Sequence, residues 1–182
     1  MGDLITMDDL TNKEITSLLD NAERLLPAAK GEIYLPLLEG KVLANMFFEN
    51  STRTRMSFES AMKRLGGSVL NFSSAGSSVA KGETLYDTMQ MIDGYADVVA
   101  IRHPQQGAAQ YSADAIEIPV LNAGDGAGNH PTQTLLDLFT IREAHGTLEG
   151  LNVILVGDLR YGRTVHSLSH ALVRFGATLT LV

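Results

Sequence analysis

The sequence predicts an α/β protein, with a parallel sheet flanked by helices and the start of a second α/β unit after it. Three observations carry this. Apolar runs of strand length alternate with helical patterns along the whole chain. Runs such as residues 42–48 and 97–101 are almost continuously apolar, as buried parallel strands are. The composition, 45% hydrophobic and 19% charged over 182 residues, is that of a soluble globular protein with chain enough for one domain and part of another.

The elements follow in order. Thr11-Asn12-Lys13-Glu14 has the capping-box pattern, and Ile15, Leu18, Leu19, Ala22, Leu25 and Leu26 have amphipathic helix spacing. Pro27 and Gly31 are expected to close that helix. Residues 42–48 read as a strand and 56–65 as a helix. Ser51 is that helix's natural N-cap, so Arg53 and Arg55 fall in its first turn, and Arg55 is spaced to pair with Glu59 at i,i+4. Residues 68–72 form a short strand. Residues 73–82 are small, polar and aperiodic, which predicts a mobile loop. A helix over 83–92, a strand over 97–101 and a short helix over 105–114 come next. A strand over 119–122 runs into the glycine-rich stretch 123–129, and Pro131 opens a long helix through Ala144. A strand (152–156), a helix (164–175) and a strand (178–182) complete the chain.

The best domain boundary lies between Gly146 and Gly150, giving a first domain of residues 1–146 and the beginning of a second over 147–182. One strand-helix-strand unit cannot bury a core of its own, so the second domain is read as truncated.

Composition excludes several functions. There is no cysteine, hence no disulfide, thiolate metal site or cysteine nucleophile. The first residues resemble neither a signal nor a transit peptide, and no apolar run approaches membrane-spanning length, so no membrane partner is expected. A formal net charge of −7 argues against a general nucleic-acid surface. Any cationic site must be local.

One such site is written at residues 51–55. The helix dipole disfavours cations in a first turn. Ser51, Thr52, Arg53 and Thr54 with free backbone N–H groups resolve that conflict if an anion, best a phosphate, binds there. Ligands of open α/β sheets sit beyond the carboxyl ends of the strands. Three more polar clusters fall at such ends: Arg102-His103-Pro104, residues 122–133, and residues 157–163. Together they describe a rim with Arg53, Arg102, His130, Gln133 and Arg163. Each has a structural alternative: Arg102 in a surface ion pair, His130 as a turn residue, His103 ending a strand, Lys81 as a solvated loop lysine. Residues 157–164 nearly match a nucleotide P-loop, but Asp158, Leu159 and Tyr161 make a poor phosphate cradle. Gly124, Gly126 and Gly128 have the wrong spacing for a dinucleotide fingerprint. His166 and His170 at i,i+4 read as structural histidines, not zinc ligands.

The run Phe47-Phe48-Glu49-Asn50-Ser51-Thr52-Arg53-Thr54-Arg55-Met56-Ser57-Phe58-Glu59 resembles the carbamoyl-phosphate signature of the aspartate and ornithine carbamoyltransferases. Arg102-His103-Pro104 and His130-Pro131-Thr132-Gln133 are similar to that family's other two carbamoyl-phosphate motifs. Residues 131–140 and 156–168 look like the aspartate branch, and Lys81-Gly82-Glu83-Thr84 resembles its mobile loop. Arg163 agrees physically, since a further cation suits a dicarboxylate better than a cationic substrate.

The resemblance implies carbamoyl transfer from carbamoyl phosphate to the α-amine of L-aspartate in pyrimidine synthesis, in the cytoplasm, with no metal or organic cofactor. It implies that Ser51, Thr52, Arg53 and Thr54 hold the phosphate and that Thr54, Arg102 and His130 donate to the carbonyl oxygen. Gln133 would fix the carbamoyl NH₂ and Arg163 would bind an aspartate carboxylate. Ser77 and Lys81 would enter the active site of a neighbouring subunit, Lys81 reaching the reacting groups and aspartate, which implies a homotrimer with shared sites. A regulatory chain stays open. So do two alternatives, an ornithine-type enzyme and a non-catalytic carbamoyl-phosphate-binding module.

Overall fold

The computed structural model describes residues 2–73 and 77–182. Four strands form one sheet: β1 (Val42–Phe47), β2 (Ser68–Ser73), β3 (Val98–His103) and β4 (Val120–Asp125). Their order is β2-β1-β3-β4, and every pair is parallel. β5 (Asn152–Leu155) and β6 (Thr178–Leu181) form a separate parallel pair.

Alternation along the central strands sends side chains to opposite faces. Ala44 and Met46 of β1, with Val99 and Ile101 of β3, pack under α3 (Leu85–Asp93) and α4 (Ala108–Ala115) through Met89, Ile92 and Ala109. Leu43 and Ala100 face the other way and meet Met62 and Phe58 of α2 (Thr52–Arg64). The sheet is therefore flanked by helices on both faces, as the sequence implies.

A third cluster joins α1 (Asn12–Lys30), α5 (Pro131–His145) and α6 (Arg163–Arg174) through Ile15, Leu19, Leu138 and Leu172. The chain beyond residue 147 thus shares a core with α1 and α5. Arg174 fastens it. Its Nε donates to Asn12 Oδ1 at 3.0 Å, Nη1 to the Met7 carbonyl at 2.8 Å and Nη2 to the Leu10 carbonyl. Asn12 Nδ2 returns a bond to the Arg174 carbonyl at 2.8 Å. Replacing Arg174 with methionine leaves those acceptors without their donors, and is expected to lower unfolding free energy by about 2 kcal/mol in urea denaturation.

Several elements differ from expectation. α1 runs through Pro27 to Lys30 before closing at Gly31. Proline in a last turn removes a single backbone bond, which the flanking turns tolerate. Glu59 pairs with Lys63 Nζ at 2.6 Å and accepts from Asn71 at 3.1 Å, so Arg55 is not its ion-pair partner. Both spacings are i,i+4; Lys63 takes Oε1 and Asn71 takes Oε2, so Arg55 acts on the carboxylate only as a nearby charge. Of the expected loop over 73–82, Ser73 ends β2 and Ser78–Lys81 form a 3₁₀ turn, while residues 74–76 lie outside the described residues.

An N-terminal segment given no element by its pattern joins the sheet. Leu4 bridges Leu121 in parallel: its N–H donates to the Val120 carbonyl, and its carbonyl accepts from Asn122, both at 2.9 Å. Two residues of contact leave no periodicity to read. No helix among the described residues is long and apolar enough to cross a membrane.

Candidate active site

The carboxyl ends of β1, β3 and β4 open onto a cleft of about 800 Å³. Each of its walls is set by local folding. β1 ends at Phe47, and the chain turns through Glu49-Asn50-Ser51 into α2. Ser51 holds the N-cap position in extended backbone, but its side chain makes no cap bond, and the first turn has no acidic residue. The hydroxyls of Ser51, Thr52 and Thr54 and the guanidinium of Arg53 therefore surround backbone N–H groups that no capping side chain uses. Arg53 is exposed and forms no ion pair with a described residue.

Arg102 comes from the end of β3, where the register against β4 slips between Ile101 and His103. Such a bulge re-aims side chains at a sheet's rim. His130 is the N-cap residue of α5, with Pro131 fixing the first turn behind it. Its N–H donates to Ser167 Oγ of α6 at 3.2 Å, and its Nδ1 lies 3.4 Å from Thr132 Oγ1. Gln133, one turn on, donates its side-chain NH₂ to Asp137 at 2.9 Å, which leaves the amide oxygen as an acceptor. Arg163 opens α6 and lies across the β4–α5 loop, donating to the Gly126 carbonyl at 2.8 Å. Gly124, with φ of 116°, makes room for it: a β-carbon there would stand 3.3 Å from the guanidinium.

One acid holds the two inner cations. Glu49 Oε1 accepts from Arg102 Nε at 2.6 Å and Nη2 at 2.5 Å, and from Arg163 Nη2 at 2.8 Å. The arginine side chains are only 14% and 18% exposed. Burial opposes the Glu49 charge, but Arg163 and Arg102 outweigh it and hold the carboxyl below its ordinary range. Arg102 is pushed down by burial first and by Arg163 second, with Glu49 acting against both.

His130 is buried, and that burial, with Arg102 and Arg163 adding to it, lowers its pKa to about 4. The imidazole is therefore neutral at neutral pH and can donate one N–H without carrying charge. Histidine-detected NMR titration is expected to show His130 still neutral at pH 6, where an ordinary histidine is mostly protonated. The sign follows from linkage. The unfolded chain binds the proton more tightly, so this group withdraws stability as pH falls from about 6.5 toward 4.

All the expected rim residues thus face one cleft: Ser51, Thr52, Arg53, Thr54, Arg102, His130, Gln133 and Arg163. Ser77 and Lys81 are not among its lining residues. A family model described as aspartate/ornithine carbamoyltransferase, carbamoyl-P binding domain, matches residues 2–143. The chain belongs to the aspartate/ornithine carbamoyltransferase family.

Relatives within this carbamoyltransferase family are close. The aspartate carbamoyltransferase catalytic subunit of Archaeoglobus fulgidus is 54% identical over all of this chain and 61% of its own length. That of Methanothrix thermoacetophila is 58% identical over 98% of this chain and 59% of its own. Aspartate transcarbamoylase from Trypanosoma cruzi, solved with N-(phosphonacetyl)-L-aspartic acid, superposes with a TM-score of 0.95 at 43% identity, covering 99% of this chain and 59% of that one. The chain thus spans about three fifths of the length of these carbamoyltransferases.

Sequence reasoning assigned no role to Glu49, although it stands inside the quoted signature. The available signal was a lone carboxylate at a strand's carboxyl end among predicted cations. The competing motifs also find their structural roles. Asp158 Oδ1 accepts the N–H groups of Arg160 and Tyr161 at 3.0 and 2.9 Å, so the P-loop-like turn spends its amides on its own carboxylate. His166 Nε2 lies 2.8 Å from the Leu159 carbonyl, a tie within the same turn. His103 Nδ1 accepts the Gln105 N–H at 3.0 Å and ends the strand.

Proposed function

We propose that this chain is the carbamoyl-phosphate-binding part of an aspartate carbamoyltransferase catalytic chain. The reaction is attack of the α-amine of L-aspartate on the carbonyl carbon of carbamoyl phosphate, with the carbon–oxygen bond to phosphate breaking. It yields N-carbamoyl-L-aspartate and phosphate, a step of de novo pyrimidine biosynthesis. The observation that supports it is the convergence on one cleft of an uncapped helix N-terminus, three arginines, a neutral histidine and a free amide oxygen.

Each group has a part in this reading. The first turn of α2, with Ser51, Thr52, Arg53 and Thr54, holds the phosphate and stabilises it as a leaving group. Arg102, Thr54 and the imidazole N–H of His130 donate to the carbonyl oxygen as it gains charge. Such preorganised donors usually lower the barrier of acyl-type transfers more than any other single effect. The Gln133 amide oxygen accepts from the carbamoyl NH₂ and sets its orientation. Arg163 receives a carboxylate of aspartate, competing with Glu49 for it.

In the same reading residues 1–146 are the carbamoyl phosphate domain and 147–182 the first part of the aspartate domain. Ser77 and Lys81 serve the site of a neighbouring subunit in a cytoplasmic homotrimer, which fits their position away from this cleft. Competition calorimetry tests the substrate pair. N-(phosphonacetyl)-L-aspartate is expected to displace carbamoyl phosphate at lower concentration than phosphonoacetate, and the Arg163→Ala variant to lose that advantage. An ornithine-based analogue displacing carbamoyl phosphate better than the aspartate one would overturn the choice of acceptor.

A further inference from the structure

Asp125 closes β4, is 3% exposed, and has no part in the chemistry above. Its Oδ2 accepts the N–H of Gly107, the residue before α4, at 2.8 Å. Its Oδ1 accepts the N–H of Asn129 at 2.8 Å and the side-chain NH₂ of Asn122 at 3.2 Å. The backbone adds to the knot: Asp125 N–H donates to the Asn129 carbonyl at 3.3 Å, and its carbonyl accepts from Gly128 at 2.9 Å. Gly128 is pressed against the carboxylate, since a β-carbon there would stand 2.9 Å from Oδ1.

The segments joined by this carboxylate matter. Gly107 ends the loop that leaves β3 just beyond Arg102, and Asn129 is bonded to His130. Between them Gly126 donates to the His103 carbonyl at 2.9 Å and accepts from Arg163 at 2.8 Å. Three donors converging on two oxygens suit a carboxylate, which only accepts; an amide in its place turns N–H groups toward N–H groups. The charge also reaches the rings of both His103 and His130.

We propose that Asp125 is a positioning residue for the carbamoyl phosphate site, its carboxylate locking the β3–α4 and β4–α5 loops together so that Arg102 and His130 face the α2 N-terminus in register. This rests on the reading of the cleft given above. Misplacement of donors by a fraction of an ångström weakens such a site without dissolving the fold.

The test uses the 182-residue chain with carbamoyl phosphate and inorganic phosphate as calorimetric ligands, and NMR of its five ¹⁵N-labelled histidines. Asp125→Asn is expected to weaken carbamoyl phosphate binding by about tenfold or more. The His103 and His130 ring signals should move, while those of His145, His166 and His170 stay. Asp125→Ser, which keeps one acceptor, is the second variant should the amide fail to fold. Unchanged affinity would overturn the proposal. So would displacement of all five histidine signals together, or unfolding of both variants, because each assigns Asp125 to stability alone. A parent chain that binds neither ligand would instead overturn the reading of the cleft.

Discussion

Replacing Arg53 with alanine is expected to weaken carbamoyl phosphate binding roughly a hundredfold, the loss of a charge-assisted, two-point contact to an anion. The melting temperature should stay where it is. Both halves follow from the same observation. Arg53 is exposed and forms no ion pair with a described residue, so the fold does not depend on it. It stands in the first turn of a helix that has no acidic residue there and no side-chain cap, where its charge is unfavourable until an anion arrives. Calorimetry of the parent and variant with carbamoyl phosphate, beside thermal melts, checks both. Lysine at this position should recover part of the affinity, since it restores charge without the planar fork. Parent-like binding by the alanine variant would remove the phosphate from this helix.

Replacing Glu49 with alanine is expected to act in the opposite way, on stability first. It leaves Arg102 and Arg163, 14% and 18% exposed, facing each other with no counter-charge. Stranding a buried ion pair costs about 3–5 kcal/mol, and partial exposure of Glu49 brings the expected loss to about 2–3. Inorganic phosphate should restore part of it by entering between the two cations, which urea titrations with and without phosphate will show. Acid should imitate the substitution. The Glu49 carboxyl is held below its usual pKa of 4.5, so its contribution is complete above that value and disappears as pH falls through the depressed one. A variant as stable as the parent, and indifferent to phosphate, would mean that Glu49 does not clamp the arginines in solution.

The two predictions separate residues that a linear reading treats alike. Arg53 and Arg55 stand two apart, and helix geometry alone divides them. The loss of the Arg55–Glu59 pair to Lys63 was not legible, because Glu59 has an i,i+4 partner on either side and spacing does not choose between them. The sheet was legible because buried parallel strands are apolar almost throughout, as residues 98–101 and, Asn45 apart, residues 42–47 are. The Leu4 contact was not, because its information lies in backbone bonds to a strand far along the chain. Gly31 closed the first helix as its place in the sequence suggests, and Pro27 sits inside the last turn, where a breaker removes little. Within the site, cations announced themselves by standing at strand ends. Glu49 and Asp125 stayed silent, since a carboxylate that serves other residues has no pattern of its own.

The seating of Leu4 on β4 has a consequence for how this molecule is made. Asp3 Oδ1 accepts the N–H of Val120, a separation of 117 residues. During synthesis Leu4 emerges before β4 and must wait, unpaired, until most of the first sheet has followed it. Once made, β4 is a bare edge until Leu4 seats on it, open to pairing with another nascent chain. Closing this edge of the sheet thus joins segments far apart in the chain, and a refolding reaction should record it as a late event with long-range contact order.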